Sequence, residues 1–247
     1  MKAILLIGHG ALNKASGAAM IRHAALLRQE GLAPIATAGF LNFSEPTFAQ
    51  ALTRCMDKGA TEVIVQPYFL IDGYYVNTQL RKLVDEAKGL YPDIKLKMSL
   101  PFGDHPALAE LVTQRIKESL ASSKESGDNY AVVLMAHGTP KPEANEALYK
   151  IAKRVEANIN KPVRLAFMEC NEPGIPEAID SLIQAGHETL VAVPYFLQAG
   201  GHVKDDLPRM ISEAQHNHPE KAILLADYLG FDSRFVEVIR ERLSASV

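Results

Sequence analysis

The apolar residues of this chain form short continuous runs, separated by longer stretches in which apolar positions recur at helical spacing. Short runs of this kind are typical of strands that are buried on both faces of a parallel sheet. Strands are predicted at residues 3–7, 33–38, 62–66 and 94–98, and again at 131–135, 163–167, 190–193 and 222–226. Because strands and helices alternate, each half of the chain is predicted to form an open parallel sheet wrapped by helices.

The second half of the chain repeats the first. Three strings recur at a shift of 127 or 128 residues: Pro-Tyr-Phe-Leu at 67 and 194, Glu-Pro at 45 and 172, and His-Gly at 9 and 137. Strings that share nearly one shift indicate a duplication.

The helix predicted after each Glu-Pro is also repeated. Its apolar residues follow the i, i+3, i+4, i+7, i+8 stripe of an amphipathic helix. They are Phe48, Ala51, Leu52, Cys55 and Met56 in the first copy and Ile175, Ala178, Ile179, Leu182 and Ile183 in the second. Gly59 and Gly186 follow the two stripes, where a left-handed helix stop is expected.

The division between the copies is predicted in a polar stretch that lacks periodicity. Residues 122–128, Ser-Ser-Lys-Glu-Ser-Gly-Asp, are interpreted as a linker. The N-terminal repeat is then residues 1–121, and the C-terminal repeat is residues 129–247.

Composition excludes several classes of protein. The net charge of −3 gives no basic field, so neither nucleic acid nor a membrane is expected as a partner. No apolar stretch is long enough to span a bilayer, and the first apolar run is too short for a signal segment, so a cytoplasmic protein is expected. Two cysteines, Cys55 and Cys170, are too few for a disulfide framework.

Candidate chemistry lies after the strands of the second half. In open parallel sheets, ligands bind beyond the carboxyl ends of the strands. His137 follows the first predicted strand of this half, Glu169 follows the second, and His202 lies in the loop after the third. Two imidazoles and a carboxylate form a ligand set for divalent metals and can also accept protons. All three residues are therefore predicted to bind metal and to act in catalysis.

The first half carries an altered copy of the same set. The corresponding residues are His9, Asn42 and Tyr75, of which only the histidine is retained. An amide cannot act as a base, and a neutral phenol is a poor metal ligand. The sequence thus contains one complete site and one degenerate copy.

These residues resemble a known family. A strand that ends in His-Gly, a Phe-x-Glu after the next strand, and the string Pro-Tyr-Phe-Leu-x-x-Gly-x-His-Val-x-x-Asp-x-Pro at 194–208 are similar to the class II chelatases. Within that class the resemblance is to the sirohydrochlorin cobaltochelatases and ferrochelatases of the CbiX and SirB type. Two-repeat members of this type carry the histidine pair in the first half, whereas here Tyr75 stands in place of that second histidine.

The resemblance implies two tandem flavodoxin-like or chelatase-like lobes, and insertion of Co²⁺ or Fe²⁺ into sirohydrochlorin without ATP or an organic cofactor. It implies that His137, His202 and Glu169 handle the metal and that the first half contributes His9, Asn42 and Tyr75 to substrate binding. Lys141 and Lys204 are candidates for binding the carboxylates of the tetrapyrrole. The expected assembly is either a monomer with an internal pseudo-dimer or a homodimer.

Two other interpretations stay open. The degenerate first half suits a carrier that binds metal or tetrapyrrole without catalysing insertion. His-Gly after a strand also occurs in histidine phosphatases, but that family needs an arginine before the histidine, and here Gly8 and Ala136 stand there. The phosphatase interpretation is therefore disfavoured.

Overall fold

The structure is a computed structural model of the 247-residue chain, which describes residues 1–11, 17–123 and 128–245. The strands within these ranges are β1 Lys2–Gly8, β2 Ile35–Phe40, β3 Glu62–Pro67, β4 Lys95–Met98, β5 Tyr130–Ala136, β6 Val163–Phe167, β7 Thr189–Pro194 and β8 Ala222–Leu225. All the predicted strands are confirmed. Their ends differ from the prediction by at most two residues.

The strands form two four-stranded parallel sheets with the same topology. The first has the order β2-β1-β3-β4 and the second has the order β6-β5-β7-β8. Residues 3–7 in β1 and 131–135 in β5 are completely buried. Burial on both faces explains why these central strands read as continuous apolar runs without alternation.

Helices cover both sheets. The α-helices of the described residues are α1 Ala18–Gln29, α2 Phe48–Asp57, α3 Arg81–Leu90, α4 Pro106–Ser122, α5 Glu146–Ile159, α6 Ile175–Gln184, α7 Leu207–Asn217 and α8 Arg234–Ser244. Two short π-helical segments, π1 Tyr75–Leu80 and π2 His202–Asp206, lead directly into α3 and α7. The predicted alternation of strands and helices is confirmed.

The predicted apolar stripes of α2 and α6 face the sheets. Four of the five stripe residues in each helix are buried, and the fifth, Met56 or Ile183, packs against the core while partly exposed. Gly59 and Gly186 follow these helices with φ of 82° and 92°. The left-handed stops expected from the sequence are therefore present.

The compact units of the structure do not coincide with the sequence repeats. Unit 1 comprises residues 1–103 and 231–247, and unit 2 comprises residues 104–230. The helix that ends the first repeat, α4, thus belongs to unit 2, and the helix that ends the second repeat, α8, belongs to unit 1. Of the predicted linker 122–128, residues 124–127 lie outside the described residues.

Equivalent arginines bind α4 and α8 to the rest of the units in which these helices lie. In unit 2, Arg115 of α4 donates hydrogen bonds to the carbonyl oxygens of Tyr228 and Leu229, at 3.1 Å each. In unit 1, Arg242 of α8 lies 127 residues later and donates to the carbonyl oxygen of Phe102 at 2.6 Å. In each unit, therefore, an arginine of the incoming helix binds backbone carbonyls that follow the fourth strand. No helix among the described residues is long and apolar enough to cross a membrane.

Candidate metal centre

The loops that follow β5 and β6 bring His137 and Glu169 together. The amide of Glu169 donates to the carbonyl oxygen of His137 at 3.0 Å, which joins the two loops at the sheet edge. Gly138 has a φ of 90°, and a Cβ atom at this position would lie 2.2 Å from the carbonyl oxygen of Glu169. The glycine of the His-Gly pair is therefore required by both conformation and space.

His202 reaches the same place from the third strand. It is the first residue of π2, which follows β7 and continues as α7. A π-helical turn displaces side chains from their ordinary helical positions and often occurs at functional sites. The rings of His137 and His202 are 5.2 Å apart between centroids, in an edge-on arrangement.

The predicted triad is assembled. Ligand atoms of His137, Glu169 and His202 all lie within 4.8 Å of one another, and Nε2 of His137 is 3.9 Å from Oε2 of Glu169. Nδ1 of His137 lies 3.3 Å from the carbonyl oxygen of Gly138, which can only accept, so this nitrogen carries the proton and Nε2 carries the lone pair. Three electron-rich groups thus converge where a cation would stabilise them.

The three side chains are accessible. About half of each is exposed, with values of 47% for His137, 56% for Glu169 and 42% for His202. An accessible set of three ligands leaves coordination positions open. Such a site can exchange a metal with a second ligand, which a closed structural site cannot do.

Asp206 is a member of the site that was not predicted from the sequence. Its Oδ2 accepts a hydrogen bond from Nδ1 of His202 at 2.8 Å, which leaves the lone pair on Nε2. A carboxylate in this position orients a metal-binding histidine and fixes which ring nitrogen faces the metal. The signal in the sequence was the i, i+4 spacing of His202 and Asp206 within one helix.

The two predicted lysines stand near the loops but outside the triad. Lys141 is exposed and precedes a short 3₁₀ segment, Pro142–Asn145. Lys204 is exposed within π2. Their roles as substrate-binding residues stay predictions.

Unit 1 has the same backbone arrangement with different side chains. The amide of Asn42 donates to the carbonyl oxygen of His9 at 2.9 Å, and Gly10 has a φ of 86°. The side chain of Asn42 accepts a hydrogen bond from Gln79, which occupies the position of Asp206 in this repeat. Tyr75, the first residue of π1, meets the ring of His9 edge-on at 4.4 Å.

The tyrosines of the two Pro-Tyr-Phe-Leu strings, Tyr68 and Tyr195, are buried. In unit 1 the hydroxyl of Tyr68 lies 2.8 Å from Nδ1 of His23, a fully buried histidine of α1. Burial lowers the pKa of His23 to about 4. In unit 2 the hydroxyl of Tyr195 has no hydrogen-bond partner among the described residues, and burial raises its pKa. The residue equivalent to His23 is Ile151, which cannot bond to it.

The fold and the site define a class of protein. Each sheet is an open parallel α/β sheet, and one of the two carries an accessible His/Glu/His set at the carboxyl edge of its strands. The sequence model of the CbiX family matches residues 3–119 and, a second time, residues 131–246. The chain therefore belongs to the CbiX family, and the duplication inferred from the sequence is confirmed.

Curated relatives include both full-length and half-length chains. A sirohydrochlorin cobaltochelatase of Priestia megaterium is 29% identical over 98% of this chain and 79% of its own length. A sirohydrochlorin cobaltochelatase of Sulfolobus acidocaldarius is 32% identical over 45% of this chain and 87% of its own length. About one repeat of this chain thus matches most of the length of the Sulfolobus acidocaldarius protein.

Among solved structures, SirB from Bacillus subtilis with Fe³⁺ is similar, with a TM-score of 0.82 and 23% identity over 98% of this chain and 94% of SirB. The same protein of the subspecies spizizenii in complex with cobalt gives a TM-score of 0.81 at 22% identity. At this identity the likeness confirms the fold, including the two open parallel sheets.

Proposed function

We propose that this chain inserts a divalent metal ion, Co²⁺ or Fe²⁺, into sirohydrochlorin or a related tetrapyrrole, as a step toward cobalamin or siroheme. The observation that carries the proposal is the convergence of His137, Glu169 and His202 within 4.8 Å at an accessible sheet edge. Family membership and the names of the relatives support the same reaction. The protein is proposed to act in the cytoplasm, as a monomer with an internal pseudo-dimer or as a homodimer.

The reaction replaces two pyrrole protons by one M²⁺ ion. The metal must leave its first ligands, and the two protons must find acceptors close to the macrocycle. Imidazoles suit Co²⁺ and Fe²⁺ as ligands, and both imidazoles and the Glu169 carboxylate can accept protons. Positioned bases typically contribute about 10²- to 10⁴-fold to a rate.

Substrate carboxylates are bound, in this proposal, by local cations. Lys141 and Lys204 are exposed near the histidine loops of unit 2 and are proposed to bind substrate carboxylates. His9, Asn42 and Tyr75 are proposed to bind a tetrapyrrole at the sheet edge of unit 1. A local cation is needed because the net charge of the chain is −3.

The test is a metalation assay. Purified protein is mixed with sirohydrochlorin and with Co²⁺, Fe²⁺ or Ni²⁺ separately, and the visible spectrum is followed. We expect accelerated metalation with Co²⁺ or Fe²⁺, and a rate about 10²- to 10⁴-fold lower for His202→Ala. His216→Ala, which changes an exposed histidine of α7 outside the triad, is the matched control. Binding of metal and tetrapyrrole without any acceleration would contradict the proposal and favour the carrier interpretation.

A further inference from the structure

We propose that unit 1 carries a separate binding site for a metallated tetrapyrrole, in which His9 binds the metal of the complex and aromatic side chains bind the ring. The choice of a tetrapyrrole rests on the proposed function. The geometry that motivates it belongs to unit 1 alone.

The ring of His9 offers a lone pair on Nε2. Its Nδ1 lies 2.8 Å from the carbonyl oxygen of Gly10, so this nitrogen carries the proton and Nε2 carries the lone pair. Among the described residues, no group forms a hydrogen bond with that Nε2. A single neutral imidazole is a common axial ligand of a metal that is already held by a macrocycle.

The other positions of the site no longer suit a free metal ion. Asn42 stands where Glu169 stands in unit 2, and its side-chain oxygen is occupied by Gln79 at 3.1 Å. Tyr75 stands where His202 stands, and it offers a ring face and a hydroxyl instead of an imidazole. One imidazole alone holds a free divalent ion weakly, whereas a metal in a tetrapyrrole needs only one further ligand.

The replacements also add aromatic surface. Phe43, Tyr74 and Tyr75 are 67%, 58% and 40% exposed, which is unusual for such large rings. They cluster around His9: Phe43 is 5.8 Å and Tyr75 is 4.4 Å from its ring, and Tyr74 is 5.7 Å from Tyr75. Phe69 stacks behind Tyr75 at 6.2 Å.

Among its described residues, unit 2 has no such aromatic cluster at the corresponding edge. Its residues at the positions of Phe43 and Tyr75 are Cys170 and His202. A set of exposed rings around one imidazole matches a flat aromatic ligand with a metal at its centre. The two features together favour the metallated macrocycle over a free ion or an aliphatic ligand.

The experiment titrates the cobalt complex of sirohydrochlorin, and separately metal-free sirohydrochlorin, into the whole protein and its variants. An axial imidazole shifts the visible bands of the cobalt complex. We expect this shift with wild type and with His137→Ala/His202→Ala, and no shift when His9→Ala is added to that double variant, which already lacks the imidazoles of the unit 2 site. Phe43→Asn, which tolerates the φ of 58° at this position, and Tyr75→Ala should each raise the Kd about tenfold. Metal-free sirohydrochlorin should bind more weakly than the complex.

Two controls accompany the titration. Tyr75→Phe keeps the ring, and Tyr91→Ala removes a partly exposed tyrosine that follows α3, so both should retain the wild-type Kd. Circular dichroism and thermal melting confirm that each variant is folded.

The proposal is overturned if the band shift persists when His9→Ala is added to His137→Ala/His202→Ala, if the complex does not bind, or if the aromatic variants bind as tightly as wild type. Turnover of the wild type is measured separately. Turnover without this binding refutes only the unit 1 site, and binding without turnover refutes only the proposed function.

Discussion

The two units of this protein share one backbone design and differ in the side chains that it carries. In both, a glycine of positive φ lets the loop after the first strand cross the loop after the second, and a π-helical turn follows the third strand. In unit 2 these positions hold His137, Glu169 and His202. In unit 1 they hold His9, Asn42 and Tyr75. The backbone arrangement that brings three side chains together is thus retained in unit 1, although two of the three candidate metal ligands are replaced there.

The difference shows which features of the site depend on the fold and which depend on single residues. The loop crossing is retained because the glycines and the backbone hydrogen bonds are retained. Metal binding, as proposed, depends on three replaceable side chains and on the carboxylate of Asp206, whose counterpart in unit 1 is Gln79.

The strongest way to test this comparison is to rebuild the missing set. Asn42→Glu, Tyr75→His and Gln79→Asp together should give unit 1 a site like that of unit 2, because the backbone positions already match. We expect the number of Co²⁺ ions bound per chain to rise by one in equilibrium dialysis. A protein that carries the single change Asn42→Glu is the control and should bind no additional ion tightly. If the triple variant is folded and binds no more Co²⁺ per chain than wild type, the backbone arrangements of the two units are not equivalent.

A smaller effect is expected at Asp206. Asp206→Asn removes the charged acceptor that orients His202, so metal affinity should fall about 10- to 100-fold. Asp206→Glu should recover part of the loss, because the carboxylate is restored. Isothermal titration with Co²⁺ measures the affinity of each variant. Equal affinities for wild type and Asp206→Asn would assign the aspartate a purely structural role.

The units should also respond differently to acid. The pKa of His23 is about 4 in the folded protein, chiefly because burial disfavours the cation, with Arg22 adding to this and Asp232 opposing it. The unfolded chain, with a pKa near 6.5, then binds more protons than the folded chain below that pH, so stability falls as the pH falls from 6.5 toward 4. Between pH 7.5 and pH 5 the loss should be about 2 kcal/mol. Unit 2 has Ile151 at this position and lacks this contribution.

Native-state hydrogen exchange at the two pH values measures that loss separately for each unit. The double variant His23→Ile/Tyr68→Phe makes this buried pair apolar and should remove the extra acid sensitivity of unit 1. If unit 1 of the wild type and of this variant lose the same stability, His23 is not the cause.

The smallest expected effects concern the two buried tyrosines. Tyr68→Phe leaves the buried Nδ1 of His23 without its partner and should destabilise the protein by about 1 kcal/mol. Tyr195→Phe removes a buried hydroxyl that has no partner among the described residues, so it should be neutral or stabilising. Urea unfolding gives the free energy of unfolding of each variant. A larger loss of stability for Tyr195→Phe than for Tyr68→Phe would contradict this prediction.

Most of the fold could be predicted from the sequence, because buried strands such as β1 and β5 and stripes such as that of α2 follow simple periodicities. The triad could be predicted because the carboxyl ends of parallel strands share one edge of a sheet. The assignment of α4 to unit 2 and of α8 to unit 1 could not be predicted, because an amphipathic helix has the same pattern whichever sheet it covers. The role of Asp206 and the aromatic surroundings of His9 depend on side-chain directions that spacing alone does not give.

The central claim is that unit 2 holds the metal site and that unit 1 does not. Equilibrium binding of Co²⁺ to the purified protein, without tetrapyrrole, tests it most directly. We expect one tightly bound ion per chain, lost in His137→Ala and retained in His9→Ala. Retention in His137→Ala together with loss in His9→Ala would contradict the account.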